Sequence, residues 1–141
     1  MFPQHLGDYI DNKLGVKVVT LDNANTDEEG AAIDRQDFYS GVATAVIEVT
    51  DLEAENEIKL NLIVSDSDAS DGTFAEYEKT SVTLDATGSS VLNLDLDLKA
   101  AKRYLKVKID GDTGDDSVDA SNKADVAGIL TLGGAVDKPV S

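Results

Sequence analysis

Cysteine and tryptophan are absent from this chain of 141 residues, histidine occurs once, and aromatic residues make up only 5% of it. Without cysteine there is no disulfide framework, no thiolate zinc site and no cysteine nucleophile. A single histidine excludes a multi-histidine metal cage, and a Ser–His–Asp triad would have to use His5 near the N-terminus. We therefore predict that the protein is not an enzyme and needs no cofactor.

Positive charge is also scarce, because 12 Lys and Arg residues face 28 Asp and Glu residues, for a formal net charge of −16. Such a surface repels phosphate, which argues against direct binding to nucleic acid or to an anionic membrane. No stretch approaches the ~20 apolar residues of a transmembrane helix. The first eight residues have neither a basic nor an apolar region of the signal-peptide type, so we expect a chain that is used without export.

Alternation of apolar and polar residues is the strongest pattern in the chain. Leu92–Lys99, Ile58–Ser65 and Tyr104–Ile109 each place apolar residues at every second position. Side chains of a strand point alternately to opposite faces, so each segment is predicted to be a strand with one buried and one wet face. Weaker strand candidates are Val16–Leu21, Phe38–Val49, Ser81–Leu84, Val126–Leu132 and a short segment around Ala31–Ile33.

Polar connectors rich in Asp, Asn, Ser and Gly separate these segments, as in turns. The pattern predicts an all-β protein, an antiparallel β-sandwich or jelly-roll-like fold of about 7–8 strands. Phe38–Val49 is either one long strand or two strands bent near Gly41, and the helix candidates are only Leu6–Leu14 and a turn near Leu98–Lys102. The length predicts one domain, which we divide into an N-terminal arm (1–15), the sandwich (16–136) and a C-terminal tail (137–141).

Two acidic loops, Asp66–Gly72 and Asp110–Asp116, have the oxygen-rich composition that calcium prefers. Neither loop fits an EF-hand. In the first, Asp71 stands where the template needs glycine and Tyr77 stands where it needs glutamate, and the second matches no complete template. Solvated acidic turns are therefore favoured over tight metal sites, and weak calcium binding stays open.

Basic residues cluster late in the chain, with five of the twelve between Lys99 and Lys108. The cluster is either a solvated face balanced by Asp95 and Asp97 on a neighbouring strand, or a contact stripe for an acidic partner. Arg and Tyr are enriched where protein surfaces meet, which favours a contact role for Arg103 and Tyr104. The apolar N-terminal arm either packs on its own domain or reaches a neighbouring subunit. The predicted partner-contact residues are Phe2, Leu6, Tyr9, Arg103, Tyr104, Lys106 and Lys108.

Two motifs of this sequence resemble those of small head proteins from tailed bacteriophages, with Asp34–Phe38 and the closing strand Ala127–Gly134 in similar places along residues 16–136. Val64–Asp68 followed by Asp71–Tyr77 resembles their strand, Ser-Asp turn and aromatic residue, and Lys102–Val107 resembles a later basic-Arg-Tyr-hydrophobic strand. The resemblance implies a capsid decoration (cement) protein, a β-sandwich without catalytic residues. Its implied partners are the major capsid protein and neighbouring copies of itself, with no nucleic acid or membrane. Its implied location is the capsid exterior of the virion after synthesis in the host cytoplasm.

Two other function classes stay open. One is a different virion structural component, such as a neck, tail or head-fibre part with a similar sandwich. The other is a calcium-stabilised acidic adhesin or carbohydrate-binding module, although the absence of tryptophan argues against a stacking platform for sugars.

Overall fold

The computed structural model describes residues 10–134, and over this range the chain forms nine β-strands. Between residues 10 and 134 no helix is long and apolar enough to cross a membrane. The strands are β1 (Ile10–Leu21), β2 (Asp27–Glu29), β3 (Ile33–Asp34), β4 (Ser40–Asp51), β5 (Ile58–Ser67), β6 (Ala75–Leu84), β7 (Gly88–Asp97), β8 (Tyr104–Asp110) and β9 (Lys123–Gly133).

Two antiparallel sheets face each other. The four-stranded sheet has the order β1-β9-β4-β7, and the five-stranded sheet has the order β2-β8-β5-β6, with β3 also paired to β8. With β3 set aside, the first and last strands are neighbours, and consecutive strands pass between the sheets except for the β5–β6 hairpin, which is the jelly-roll arrangement. The predicted all-β sandwich is thus confirmed, and the count reaches nine because β2 and β3 are separate strands of three and two residues.

The core between the sheets is aliphatic. Along β5, the side chains of Ile58, Leu60, Leu62 and Val64 are fully buried, while the residues between them are partly exposed. Strand β4 faces them from the other sheet with a buried row of its own, as expected for a sheet with one wet face. The buried members of this facing row are Ala43, Ala45, Ile47 and Val49.

Each predicted strand overlaps an observed one, but the bounds differ, and Phe38, Leu98 and Lys99 lie outside β4 and β7. The Phe38–Val49 candidate is one continuous strand, β4, without a break at Gly41. Strand β6 begins at Ala75, six residues before the predicted Ser81. Alternation does not reveal this first part, because β6 is a largely exposed edge strand with polar residues on both faces. Strand β7 begins at Gly88, inside the connector predicted as a turn.

The N-terminal boundary differs most from the sequence-based expectation. The helix predicted for Leu6–Leu14 is wrong over residues 10–14, which pair with β9 as part of β1. Residues 10–15 of the predicted arm therefore belong to the four-stranded sheet, where pairing with an existing strand supplies the backbone hydrogen bonds. The rest of the arm, with Phe2, Leu6 and Tyr9, and the tail 137–141 lie outside the described residues.

Candidate functional site: the two outer sheet faces

The outer face of the five-stranded sheet carries the predicted basic stripe. Tyr104, Lys106 and Lys108 alternate along β8 and point away from the core, as the sequence predicts. The Nζ of Lys106 lies 3.8 Å from an Oε of Glu29, and that of Lys108 lies 3.2 Å from an Oδ of Asp27. Hydrogen bonding to Asp27 raises the pKa of Lys108 above its ordinary value. These lysines thus face acids of their own chain.

The counter-ions differ from those predicted. Asp95 and Asp97 lie on β7, which belongs to the other sheet and has no register with β8. The expectation that they balance the basic stripe is wrong, because neighbours in an antiparallel sheet are set by fold topology and not by closeness along the chain. Strand β2 supplies the acids instead, through its pairing with β8.

Arg103 forms a forked ion pair with Asp34 at one end of this face. Its Nε lies 3.1 Å from Oδ1 of Asp34 and its Nη2 lies 2.8 Å from Oδ2, so both carboxylate oxygens accept a hydrogen bond. The pair holds the pKa of the Asp34 carboxyl below its ordinary value. The guanidinium also lies 5.2 Å from the centre of the Tyr104 ring, a cation–π distance.

A second arginine fixes the turn from which Arg103 projects. The guanidinium of Arg35 donates hydrogen bonds to the backbone carbonyls of Phe38, Ala101 and Lys102. The planar, always-charged guanidinium suits this role, because its donors point in several fixed directions at once. Arg35 therefore positions the Lys102–Tyr104 segment. No pattern in the sequence indicates this role.

The two segments that resemble phage head proteins meet in space. Asp66, which is buried, accepts a hydrogen bond of 2.9 Å from the backbone N–H of Lys102. The Nζ of Lys106 lies 4.5 Å from the centre of the Phe74 ring. The end of β5, the following loop and the start of β8 thus form one unit in which the acidic loop is tied to the basic strand.

Neither acidic loop gathers its carboxylates around one point. Within residues 10–134, no group of three or more acidic or histidine side chains is placed to hold a metal ion. The Asp66 carboxylate is used by the Lys102 backbone, and Asp110 accepts a hydrogen bond from the backbone N–H of Asp112. These bonds are typical of polar turns that satisfy their own backbone.

The outer face of the four-stranded sheet is different in kind. All the large apolar side chains that are exposed in the described part of the chain lie on this sheet, and Val18, Leu14 and Val91 are 78%, 67% and 62% exposed. Val46 lies directly across from Val91 on one side and from Ala127 on the other. We call this surface the aliphatic band, and its members are Leu14, Val18, Val46, Val91 and Ile129.

Uncharged polar residues complete the middle of this face. Thr44 donates a hydrogen bond of 2.8 Å to the side chain of Asn93, and Thr131 donates one of 2.9 Å to Asn12. Val18, Val46 and Ala127 line a depression that ends at Glu48 and Asp125. In a chain with a net charge of −16, this band sets exposed aliphatic side chains on all four strands of one sheet.

Sequence reasoning missed the aliphatic band because its members come from four strands. The local signal was present in β4, where Val42 and Val46 occupy positions that alternation would make polar. Of the predicted contact residues, the structure brings Arg103, Tyr104, Lys106 and Lys108 together on the opposite face. Their contact with a partner stays a prediction.

No protein-family model matches the sequence, and no curated protein matches it either. The chain is similar in structure to one from infectious bursal disease virus strain Gx, with a TM-score of 0.53 and 12% identity over 92% of this chain and 34% of that chain. It thus spans about a third of that viral chain. The similarity shows the fold alone.

Other structural matches have lower TM-scores. The C-terminal family 22 carbohydrate-binding module of Clostridium thermocellum Xyn10B gives a TM-score of 0.45 and 11% identity over 92% of this chain and 89% of the module. A chain of desmodium yellow mottle tymovirus gives a TM-score of 0.37 and 10% identity over 100% of this chain and 97% of that chain.

Proposed function

We propose that this chain is a capsid decoration protein that binds the outer surface of a phage head and stabilises contacts between major capsid subunits. The observation that carries the proposal is the aliphatic band, which leaves five large apolar side chains exposed on one face of an otherwise acidic molecule. Burying such side chains against a partner is favourable by about 25 cal/mol for each Å² removed from water. The protein acts by surface complementarity and not by catalysis.

Binding of this kind stabilises a shell by mass action. A protein that binds the assembled lattice and not the free subunits adds RT ln(1 + [L]/Kd) of stability at each site. Neighbouring copies occupy equivalent sites on the same lattice. The acidic remainder of the surface keeps decorated particles dispersed and repels nucleic acid.

The sequence resemblance supports the same function. The segments that carry it, around Asp66–Phe74 and Lys102–Lys106, are joined by a hydrogen bond and a cation–π contact in this structure. They therefore lie together as one structural unit of the fold. The proposed partner is the major capsid protein, and the proposed location is the exterior of the virion.

Co-sedimentation tests the proposal directly. Expanded empty heads of the phage to which the proposal assigns this chain are mixed with the purified protein and pelleted. We expect binding in proportion to the repeating subunits of the shell. Only a few copies per particle would indicate a vertex or tail component, and no binding would contradict the proposal.

A matched pair of variants assigns the binding to the aliphatic band. Val46→Asp places an acid in the middle of the band, whereas Thr83→Asp places one on the exposed outer face of the other sheet. Both variants change the net charge equally. We expect Val46→Asp to weaken binding by about tenfold or more, as for a residue at the centre of an interface, and Thr83→Asp to have little effect.

A further inference from the structure

Both ends of the aliphatic band are acidic. Glu48 and Asp125 lie directly across from each other on β4 and β9 at one end, and Asp95 and Asp97 lie two residues apart on β7 at the other. The register of the sheet places Thr44 and Val46 of β4 between these two groups, and Val42 lies directly across from Asp95. The face is thus an uncharged centre between two pairs of carboxylates.

These four carboxylates are absent from the ion pairs of residues 10–134. None of those pairs, which extend to 4.0 Å, includes Glu48, Asp95, Asp97 or Asp125. Asp125 instead accepts a hydrogen bond from the Thr20 hydroxyl, and Asp97 accepts one from the backbone N–H of Lys99. Each end of the band therefore offers two carboxylates to the cations of a partner.

On the opposite face, by contrast, the basic side chains are paired with acids of the same chain. Lys106, Lys108 and Arg103 are paired with Glu29, Asp27 and Asp34. A partner at that face would have to break or compete with these ion pairs. At the face of the aliphatic band it would only add ion pairs.

A second copy of this chain is a poor occupant of the band. Copies related by a two-fold axis present the same patch to each other. With their strands aligned, an axis along the strands sets Glu48 against Glu48, and an axis across them sets Glu48 against Asp95. Acid meets acid in both arrangements, so charge complementarity favours a different protein with basic groups.

We propose that the outer face of the four-stranded sheet receives an apolar ridge of the shell subunit that is flanked by Lys or Arg side chains at both ends. This assignment rests on the proposed function and specifies the docking face and the chemistry of its partner. The aliphatic band supplies the buried centre, and the two acidic ends set the orientation of the protein on the lattice.

A charge-matched comparison tests the assignment. Glu48→Gln combined with Asp95→Asn neutralises one acid at each end of the band. Glu78→Gln combined with Asp85→Asn removes the same charge from exposed positions on β6 and the turn after it. Binding of each double variant and of the unchanged protein to the empty heads described above is measured at low and at high salt, with the oligomeric state of each free protein measured alongside.

We expect the first double variant to bind about fivefold more weakly at low salt, with the difference shrinking at high salt, and the second to bind as the unchanged protein does. Equal effects of the two double variants, or tighter binding by the first, would overturn the assignment while leaving the decoration function intact. Self-association of the free protein that strengthens when the band's acids are neutralised would also overturn it, because a second copy would then cover the face. Failure of the unchanged protein to bind heads would overturn the proposed function and the assignment together.

Discussion

The two outer faces of this sandwich expose different kinds of side chain to water. The five-stranded sheet shows water a row of lysines, each with an acid from β2 within 4 Å. The four-stranded sheet shows water aliphatic side chains bounded by carboxylates that enter no ion pair within residues 10–134. The charges of the first face are paired within the chain, whereas those of the second are the ones that the proposed docking would pair. The basic cluster that stands out in the sequence therefore lies on the face whose charges are already paired, and not on the face of the aliphatic band.

Both faces depend on the core between them, so the largest effect is expected there. Leu62 is fully buried on β5, and Leu62→Ala removes its packing against both sheets. We expect the free energy of unfolding to fall by about 2–5 kcal/mol, measured by urea denaturation. The volume-conserving Leu62→Met should cost less than about 1.5 kcal/mol. Equal stability of the alanine variant and the unchanged protein would mean that this site is not part of the core.

The second largest effect on stability is expected at Arg35, which holds the turn beside the face of the five-stranded sheet. Arg35→Ala leaves the carbonyls of Phe38, Ala101 and Lys102 without their shared donor. We expect a loss of about 1–3 kcal/mol in the free energy of unfolding. Arg35→Lys should not restore it, because one ammonium group lacks the directional fork of the guanidinium. Full stability of the lysine variant would show that charge alone, and not geometry, holds this turn.

A smaller effect, dependent on pH, belongs to the ion pair at the end of that face. Because Arg103 lowers the pKa of Asp34 below its ordinary 3.8, the pair stabilises the folded state fully above pH 3.8. This stabilisation is lost as the pH falls through the lowered pKa and the carboxylate is protonated. Arg103→Gln should therefore be slightly less stable than the unchanged protein at neutral pH, and the difference should disappear in acid. Thermal unfolding at several pH values measures it, and a difference that grows in acid would contradict this origin.

The smallest effect on stability is expected at the aliphatic band itself. Val46→Thr and Val91→Thr keep the branched shape that suits a strand while replacing an exposed methyl group with a hydroxyl. We expect the free energy of unfolding to change by no more than about 0.5 kcal/mol, although binding to heads weakens. A loss as large as that at Leu62 would show that these valines serve folding and not docking.

Much of the fold could be predicted from sequence, because alternation reports directly on a strand with one wet face. Ile58–Ser65 and Tyr104–Ile109 are examples, and they form most of β5 and most of β8. The first half of β6 could not be predicted, because an edge strand exposed on both faces has no apolar period. Residues 10–14 were misread as helical because a short apolar segment carries too little periodicity to separate helix from strand.

The candidate site was harder to predict than the strands. The basic stripe is local in sequence, so Tyr104, Lys106 and Lys108 were correctly placed on one face of β8. Their counter-ions and the aliphatic band depend on which strands become neighbours, and the jelly-roll order sets that only in three dimensions. Val46 and Val91 meet through pairing of β4 with β7, a contact that no window of sequence contains.

The most direct test is to ask which face the shell covers. The sequence contains no cysteine, so Val91→Cys on the aliphatic band and Ser81→Cys on the outer face of the other sheet each introduce a single reactive thiol. The rate of maleimide labelling is measured for each variant, free and bound to empty heads. We predict that binding suppresses labelling at position 91 and leaves labelling at position 81 unchanged. Suppression at position 81 with free labelling at position 91 would contradict the central claim that the four-stranded sheet is the docking face.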